Sequence, residues 1–383
     1  MSDRRDPLRL ALFADPTDED WQSMAVAADG LAEGLAAVPD VQASTIVLPM
    51  PRLARRLPVL GARHAALNAD RLAGRFGASV LRARRERSRF DAFHIADHVY
   101  ANLVTSLPAG RTGVYCHDLD AFAALLDPVA HPRPAWFRAM TSRTLDGLRS
   151  AAVVFHSTQA VRAELLAHDL VDERRLVWAP PGVSAVFSPG PVEDAHARRV
   201  LSPLQGRPYL LHVGSALPRK RVDLLFDVYA ELADRYPDLW LVQRGAELTP
   251  QLQEQVKRLG FSDRLLQPPP LDRQALAGLY RGASAVLVTS EAEGFGLPVI
   301  EALACGAAVV ASDIPVLNEV GGTACTYREV GDVDGWVAAL AAILDGAGGD
   351  DGGSSSRLAQ AGKFSWEAHA RTVARAYQSL LDH

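Results

Sequence analysis

Cysteine is almost absent: Cys116, Cys305 and Cys325 are the only thiols in 383 residues. Their odd number and wide spacing argue against a disulfide framework or a zinc-ligand pattern, and point to a reducing, cytoplasmic setting. Long apolar runs are absent too. No stretch approaches the roughly 18 consecutive apolar residues of a membrane span. The N-terminal run Leu8–Ala14 is too short, and too soon followed by acids, to read as a signal peptide. Net positive charge is also missing: 40 Lys and Arg against 45 Asp and Glu give −5, which argues against bulk nucleic-acid binding.

What remains, 48% apolar and 22% charged residues, fits a globular enzyme, and the length calls for two domains rather than one core. Short apolar runs recur at Leu8–Ala14, Thr45–Leu48, Val114–Cys116, Ala152–Phe155, Tyr209–Val213, Leu239–Val242, Ala283–Val288 and Ala307–Ala311. They do not alternate with polar residues, as expected of parallel strands buried on both faces. Helical periods lie between them, clearest over Asp20–Ala37, Asp223–Tyr236 and Arg273–Arg281. The alternation predicts an α/β fold. The Pro- and Gly-rich stretch after Pro180 reads as a seam. It gives an N-terminal domain over 1–185, a linker over 186–206, a C-terminal domain over 207–363 and a closing helix over 364–383. That helix is read over Ser365–Leu381, with Ser365 as cap. Gly346–Ser356 reads as a mobile surface loop.

The most informative stretch is Ser290-Glu-Ala-Glu-Gly-Phe-Gly-Leu-Pro-Val-Ile-Glu301, directly after an apolar run. Ligands of open α/β sheets bind outside the C-terminal ends of strands. Gly294 and Gly296 allow tight turns, Pro298 suits a helix start, and the free N–H groups over Gly296–Val299 suit a diphosphate. Glu293 in the loop and Glu301 one turn into the helix are read as reaching one pocket, where carboxylates would accept hydrogen bonds from sugar hydroxyls. The second stretch is His212-Val-Gly-Ser-Ala-Leu-Pro-Arg-Lys-Arg221. Gly214 permits a turn. Arg219, Lys220 and Arg221 put cations at a helix entrance, where the helix dipole gains nothing from them, so an anionic ligand is implied. For Arg221 a solvated-face role stays equally open.

These two elements resemble the retaining GT-B glycosyltransferases of family four, the glycosyl transferases group 1. The resemblance runs over most of the chain, is strongest over Tyr209–Val320 and includes the helix after Phe364-Ser-Trp366. It implies two Rossmann-like domains whose parallel sheets face across a cleft, with the C-terminal helix crossing back to the N-terminal domain. It also implies transfer of a hexose from a GDP- or UDP-sugar, GDP-mannose among them, in polysaccharide or glycolipid assembly. By resemblance, Arg219 and Lys220 bind the donor diphosphate, Glu293 contacts the transferred sugar, and Glu301 takes the ribose diol. Gly294, Phe295, Gly296 and Leu297 hold sugar and phosphate through their backbone. Gly214 and Ser215 complete the donor site. Many members carry Arg where Ser215 stands, which leaves Arg219 as the second cation.

In the N-terminal half, His117 and Asp118 follow the run Val114–Cys116, and Phe93-His-Ile-Ala-Asp-His-Val-Tyr100 ends another strand. By resemblance His117 lies near the donor sugar, while Asp97, His98, Tyr100 and Asp118 line the acceptor side. A satisfied polar residue at a strand end is the open alternative for His117 and His98. The first loop, Asp15-Pro-Thr-Asp-Glu-Asp-Trp21, carries acids where many members have a Gly pair, which hints at acceptor hydroxyls or cationic groups. Asp118-Leu-Asp120, Asp18-Glu-Asp20 and Asp332-Val-Asp334 match a short metal pattern. With Arg219 and Lys220 available to neutralise phosphate, no metal or other cofactor is expected to be required.

Eleven arginines lie in Arg52–Arg89: Arg52, Arg55, Arg56, Arg63, Arg71, Arg75, Arg82, Arg84, Arg85, Arg87 and Arg89. A solvated helical face is one reading, and peripheral contact with anionic lipid or a lipid-linked acceptor is the other. The sequence offers no carboxylate as nucleophile. The resemblance implies front-face attack with retention, the acceptor hydroxyl giving its proton to a phosphate oxygen. Two other classes stay open: a GT-B epimerase or phosphorylase, and a non-catalytic subunit that binds nucleotide or glycan.

Overall fold

The apolar runs become the strands of two parallel sheets. The structure, a computed structural model, describes residues 6–19, 22–56, 63–190, 195–245, 247–346 and 350–382. Two units divide the chain, Met1–Gly182 with Trp366–His383, and Val183–Ser365.

The first unit holds β1 (Leu8–Ala14), β2 (Val41–Val47), β3 (Ala92–Ile95), β4 (Thr112–Cys116), β5 (Val153–His156) and β6 (Leu176–Trp178), in the order β2-β1-β3-β4-β5-β6. Every pairing is parallel. β1, β3, β4 and β5 are buried along nearly their whole length, as unalternating apolar runs require. Helix α1 (Gln22–Ala36) follows β1, and the helical period foresaw it within two residues at each end.

The second unit holds β7 (Tyr209–Val213), β8 (Trp240–Arg244), β9 (Leu265–Leu266), β10 (Ala285–Val288), β11 (Val309–Ser312) and β12 (Thr326–Arg328). They order as β12-β11-β10-β7-β8-β9, again all parallel. Helix α2 (Val222–Arg235) packs on one face with Leu210, Leu241 and Leu287. On the other face lie α3 (Arg273–Gly282) and α4 (Leu297–Ala304), with Leu211, Val242 and Val286. Each such leucine or valine removed from water contributes about 1.5–3 kcal/mol.

The C-terminal helix α5 (Trp366–Leu381) belongs to the first unit and lies on α1. Glycine makes that contact possible. A Cβ on Gly30 would sit 2.2 Å from the Trp366 ring, and one on Gly34 would sit 2.5 Å from the Trp366 carbonyl oxygen. Tyr377 Oη donates to Phe93 O at 2.9 Å and ties α5 to the sheet. The helix begins at Trp366, which leaves Ser365 at the cap position that the sequence reading gave it, and Ser365 also bridges to Val183.

Two stretches differ from the sequence reading. Residues 186–206 are placed in the second unit, apart from 191–194, which lie outside the described residues. Ala195–Leu201 is a helix, Phe187 packs on Tyr280 at 5.8 Å, and Arg281 donates to Val186 O and Ser188 O. Within Gly346–Ser356, Gly346 is in a turn, residues 347–349 are not described, and the rest is no loop. Helix Asp350–Ala361 begins there, because Arg357 donates to Gly306 O and Gln360 to Val320 O, both at 2.8 Å. Tertiary contacts override the weak helix propensity of Gly and Ser.

Candidate functional site

Strand order reverses between β7 and β10, so their C-terminal ends form the topological switch point of the second sheet, where such sheets bind ligands. The loops leaving these strands carry the two sequence motifs, and backbone groups join them. Glu291 N donates to Arg219 O at 2.8 Å, Thr289 Oγ1 to Lys220 O at 2.8 Å, and Arg219 Nη1 to Ala292 O at 2.9 Å.

Side chains converge on Glu293. Lys220 Nζ lies 2.5 Å from Glu293 Oε1, Ser290 Oγ donates to the same oxygen at 2.7 Å, and Arg219 Nη1 lies 3.6 Å from Oε2. The Lys220 and Glu293 side chains are 14% and 7% exposed. Burial is the strongest influence on Glu293 and alone would raise its pKa. Lys220, Ser290 and Arg219 overcome it and hold the carboxyl below its usual value. Burial and then Lys220 lower His212 to about 4, so its ring is neutral at pH 7.

Gly214 serves by leaving space rather than by a left-handed turn. A Cβ there would lie 3.0 Å from the His212 ring, and one on Gly245 would lie 1.7 Å from Gly214 O. Gly296 does need its conformation: its φ is +97° at the start of α4, and a Cβ would meet Leu317 at 2.8 Å. Pro298 has no N–H, and Val299 N donates to Gly296 O at 2.9 Å. The N–H groups that this helix end can offer are therefore those of Gly296 and Leu297, fewer than the sequence reading held. Phe295 turns its ring into the core against Phe364 at 5.5 Å, which leaves its backbone for a ligand. Arg221 bonds Asp223 at 2.9 Å and reaches Glu291 at 3.4 Å, as a cation on a solvated face does.

Glu301 has a different hydrogen-bond partner from those of Glu293. Tyr280 Oη donates to Glu301 Oε2 at 2.9 Å, and burial raises the carboxyl to about 7. Ser290 and Tyr280 were not singled out from sequence. Ser290 stands inside the motif and could have been; Tyr280 is brought to Glu301 by the packing of α3 on α4, which leaves no local pattern.

The first sheet reverses order between β1 and β3. Asp15 follows β1 and Asp97 follows β3, so both sit at that switch point. Both oxygens of Asp15 are buried and meet no donor among the described residues. Burial first, and then Asp97, raise its pKa well above the usual range. Asp97 is held low: burial opposes this, and His98, His117 and the N–H of Val99 at 2.9 Å outweigh it. Two carboxyls side by side share one proton.

The other residues read from sequence in this half gather here, with structural partners. His117 Nε2 lies 2.8 Å from Ala96 O and so carries the proton. Its backbone N–H points at His98 Nδ1 at 3.3 Å, and burial lowers its pKa. His98 Nε2 lies 3.8 Å from Asp118 Oδ1. Tyr100 is buried under the Arg75 guanidinium, 4.9 Å from the ring centre.

The aspartate pairs of the metal pattern have local duties. Asp118 accepts from Asp120 N at 3.1 Å, and Asp332 caps a helix by accepting from Gly335 N at 3.0 Å. Asp18 bonds Arg52 at 2.9 Å, and Asp20 lies outside the described residues. Among the described residues no three His, Cys, Asp or Glu side chains gather as metal ligands.

Among the described residues, six of the arginines in Arg52–Arg89 meet acids. Arg52 and Arg55 lie on Asp18, Arg55 also on Asp70, Arg71 and Arg75 on Glu19, and Arg82 and Arg89 on Glu86. Arg84, Arg85 and Arg87 are exposed beside an exposed Leu81. No helix among the described residues is long and apolar enough to cross a membrane.

The family model of the glycosyl transferases group 1 matches residues 194–362. A D-inositol 3-phosphate glycosyltransferase of Arthrobacter sp. (strain FB24) is 30% identical over 79% of this chain and 73% of its own. The O-antigen chain mannosyltransferase B of Escherichia coli is 30% identical over 69% of each. Against the first two curated relatives the chain spans about half of their length, 51% and 55%. Among solved structures, sucrose-phosphate synthase from Thermosynechococcus elongatus superposes with a TM-score of 0.73 at 20% identity, covering 98% of this chain and 99% of that one. Anabaena HepE in complex with UDP and glucose gives 0.74 at 15% identity, over 97% and 100%. The fold is GT-B, and the chain belongs to the glycosyl transferases group 1.

Proposed function

From that membership, we propose that the protein is a glycosyltransferase that moves a hexosyl group from a GDP- or UDP-sugar to a hydroxyl of a glycan, glycolipid or small-molecule acceptor. One observation carries the reading: the Lys220–Glu293–Ser290 cluster, flanked by Arg219, at the β7/β10 switch point. Cations and a sugar-directed carboxylate lie within bonding distance there, beside the positive end of α4. The E. coli relative named as a mannosyltransferase and the neighbour solved with UDP and glucose support the donor class.

In the proposed cycle the diphosphate takes Lys220 and Arg219 and the N–H groups of Gly296 and Leu297. Glu293 accepts hydrogen bonds from the hexose, and Glu301 accepts them from the ribose diol. The bond from the anomeric carbon to phosphate oxygen breaks while that carbon bonds the acceptor oxygen on the same face, which retains configuration. The acceptor proton passes to a phosphate oxygen of the departing nucleoside diphosphate. Preorganised cations meet the charge that grows there, so no resident metal is needed.

The first unit holds the acceptor in this proposal. Asp15 and Asp97 at its switch point suit hydroxyl or ammonium groups, which donate, and disfavour phosphate, which only accepts. Leu81 with Arg84, Arg85 and Arg87 is the surface that a lipid-linked acceptor would bring to an anionic bilayer.

The test is release of nucleoside diphosphate from GDP-mannose and UDP-glucose in the presence of acceptor extract and EDTA. Lys220→Ala is expected to lower turnover about a hundredfold to a thousandfold. Turnover within a few-fold of the parent would remove Lys220 from the reaction, and product without acceptor would turn the proposal towards epimerisation.

A further inference from the structure

One residue of the Lys220 loop goes against every local preference of its place. Arg221 opens α2 with φ +48° and ψ +46°, in the left-handed region. Among the described residues only Asp40, Asp169 and Gln205 share a positive φ without being glycine. A Cβ makes that conformation costly. A helix entrance favours an extended residue whose side chain accepts from the first turn, and a guanidinium has no acceptor to give. The positive end of the helix dipole gains nothing from it either. Solvation of the head group, 29% exposed, explains none of this, because it asks nothing of the backbone. Strain that persists is held by its surroundings, and it gathers at functional sites.

Side-chain and backbone bonds hold it there. Arg221 Nε and Nη2 grip the Asp223 carboxylate, in the first turn of α2, at 3.0 and 2.9 Å, and Nη1 lies 3.4 Å from Glu291 Oε2 in the loop after β10. Glu291 in turn donates its backbone N–H to Arg219 O at 2.8 Å, and Arg221 N donates to Pro218 O at 3.0 Å. The left-handed φ sets the peptide plane that Arg221 shares with Lys220. That plane carries Lys220 O, which accepts from the buried Thr289 Oγ1 at 2.8 Å. An ordinary helical φ at 221 would swing the plane by more than a right angle and take Lys220 O off Thr289. Lys220 Nζ, 2.5 Å from Glu293 Oε1, hangs on that backbone.

We propose that Arg221 is a positioning residue of the donor site: tied to Asp223 and Glu291, its guanidinium holds its own backbone left-handed and so fixes where Lys220 stands. The role rests on the donor site proposed above, and it needs no contact between Arg221 and the ligand. Without the ties, a residue with a Cβ leaves the left-handed region, and the fraction of molecules with Lys220 in place falls. Apparent affinity for a diphosphate falls with that fraction. Glycine enters the left-handed region freely and can keep the loop in place with no ties at all.

Calorimetric titration of the whole chain with inorganic pyrophosphate, GDP and UDP tests it, on the parent, Arg221→Ala, Arg221→Gly and Arg221→Asn. The alanine and glycine variants lose the same charge and differ in the backbone they allow. Arg221→Ala is expected to weaken pyrophosphate, and each nucleotide that the parent binds, by about tenfold, the factor set by the cost of a left-handed alanine. Arg221→Gly should bind within about threefold of the parent. Asparagine tolerates the left-handed region, so Arg221→Asn should bind better than the alanine variant, which covers a glycine variant that folds poorly. Equal weakness of all three variants overturns the proposal, because Arg221 then serves the anion by its charge. Affinities equal to the parent in all three overturn it too, even where the alanine variant melts lower, because the role is then in the stability of the fold alone. Either result leaves the donor site standing. A parent that binds neither pyrophosphate nor nucleotide overturns both.

Discussion

Lys220→Met removes the cation from a carboxylate that is 7% exposed. Breaking a buried ion pair from one side costs about 3–5 kcal/mol, because the remaining charge is stranded. Here Ser290 Oγ at 2.7 Å and Arg219 at 3.6 Å stay with Glu293, so the loss should fall at or just below the lower end of that range, about 2–3 kcal/mol. Glu293→Gln in the same chain removes the stranded charge. The double variant should then return to within about 1 kcal/mol of the parent while still failing to bind donor, a coupling that only a direct interaction produces. Two units need not unfold as one, so a single melting curve is a blunt readout. Hydrogen exchange at the amides of β7 and β10 reports the second unit directly. A Lys220→Met protein within 1 kcal/mol of the parent, or a double variant no more stable than the single, would refute the reasoning.

Three further perturbations follow. Glu301 titrates near 7 in the fold against 4.5 unfolded, so its stabilising share is complete below pH 4.5 and lost as pH rises through 7. Glu301→Gln should therefore gain stability over the parent above pH 7, by at most about 3 kcal/mol, in urea unfolding at pH 5 and pH 8; nucleotide binding by the parent, but not by the variant, should weaken as pH falls below 7. Gly34→Ala should destabilise by about 1–3 kcal/mol in thermal melts although alanine is the better helix former, because its methyl would lie 2.5 Å from the Trp366 carbonyl oxygen. Asp15 carries a raised pKa, so its folded-state share is present at acid pH and lost as pH rises. Asp15→Asn should raise the melting temperature more at pH 8 than at pH 5, and in steady-state kinetics should alter the acceptor KM rather than that of the donor.

Legibility in the sequence followed locality. β1 and β7 stand where the apolar runs put them, since a strand buried on both faces leaves an unbroken apolar signature. β6, β9 and β12 have two or three residues each, all partly exposed or exposed, and leave no such mark. Lys220 and Glu293 were singled out because each stands in a short motif after a strand, and the fold brings the two within bonding distance. Tyr280 could not be singled out in that way, because its bond to Glu301 depends on two helices packing. Helix Asp350–Ala361 was hidden by a Gly- and Ser-rich start that looks like a loop until Arg357 and Gln360 find their carbonyls.

The most direct test of the central claim is calorimetric binding of nucleoside diphosphates to the parent and to Lys220→Ala. The account predicts that at least one nucleoside diphosphate binds the parent. At about a hundred times its Kd that ligand should add about 2.7 kcal/mol to the stability of the second unit, and Lys220→Ala should weaken it by tenfold or more. Equal affinity of parent and variant would contradict the placement of the diphosphate at the β7/β10 switch point.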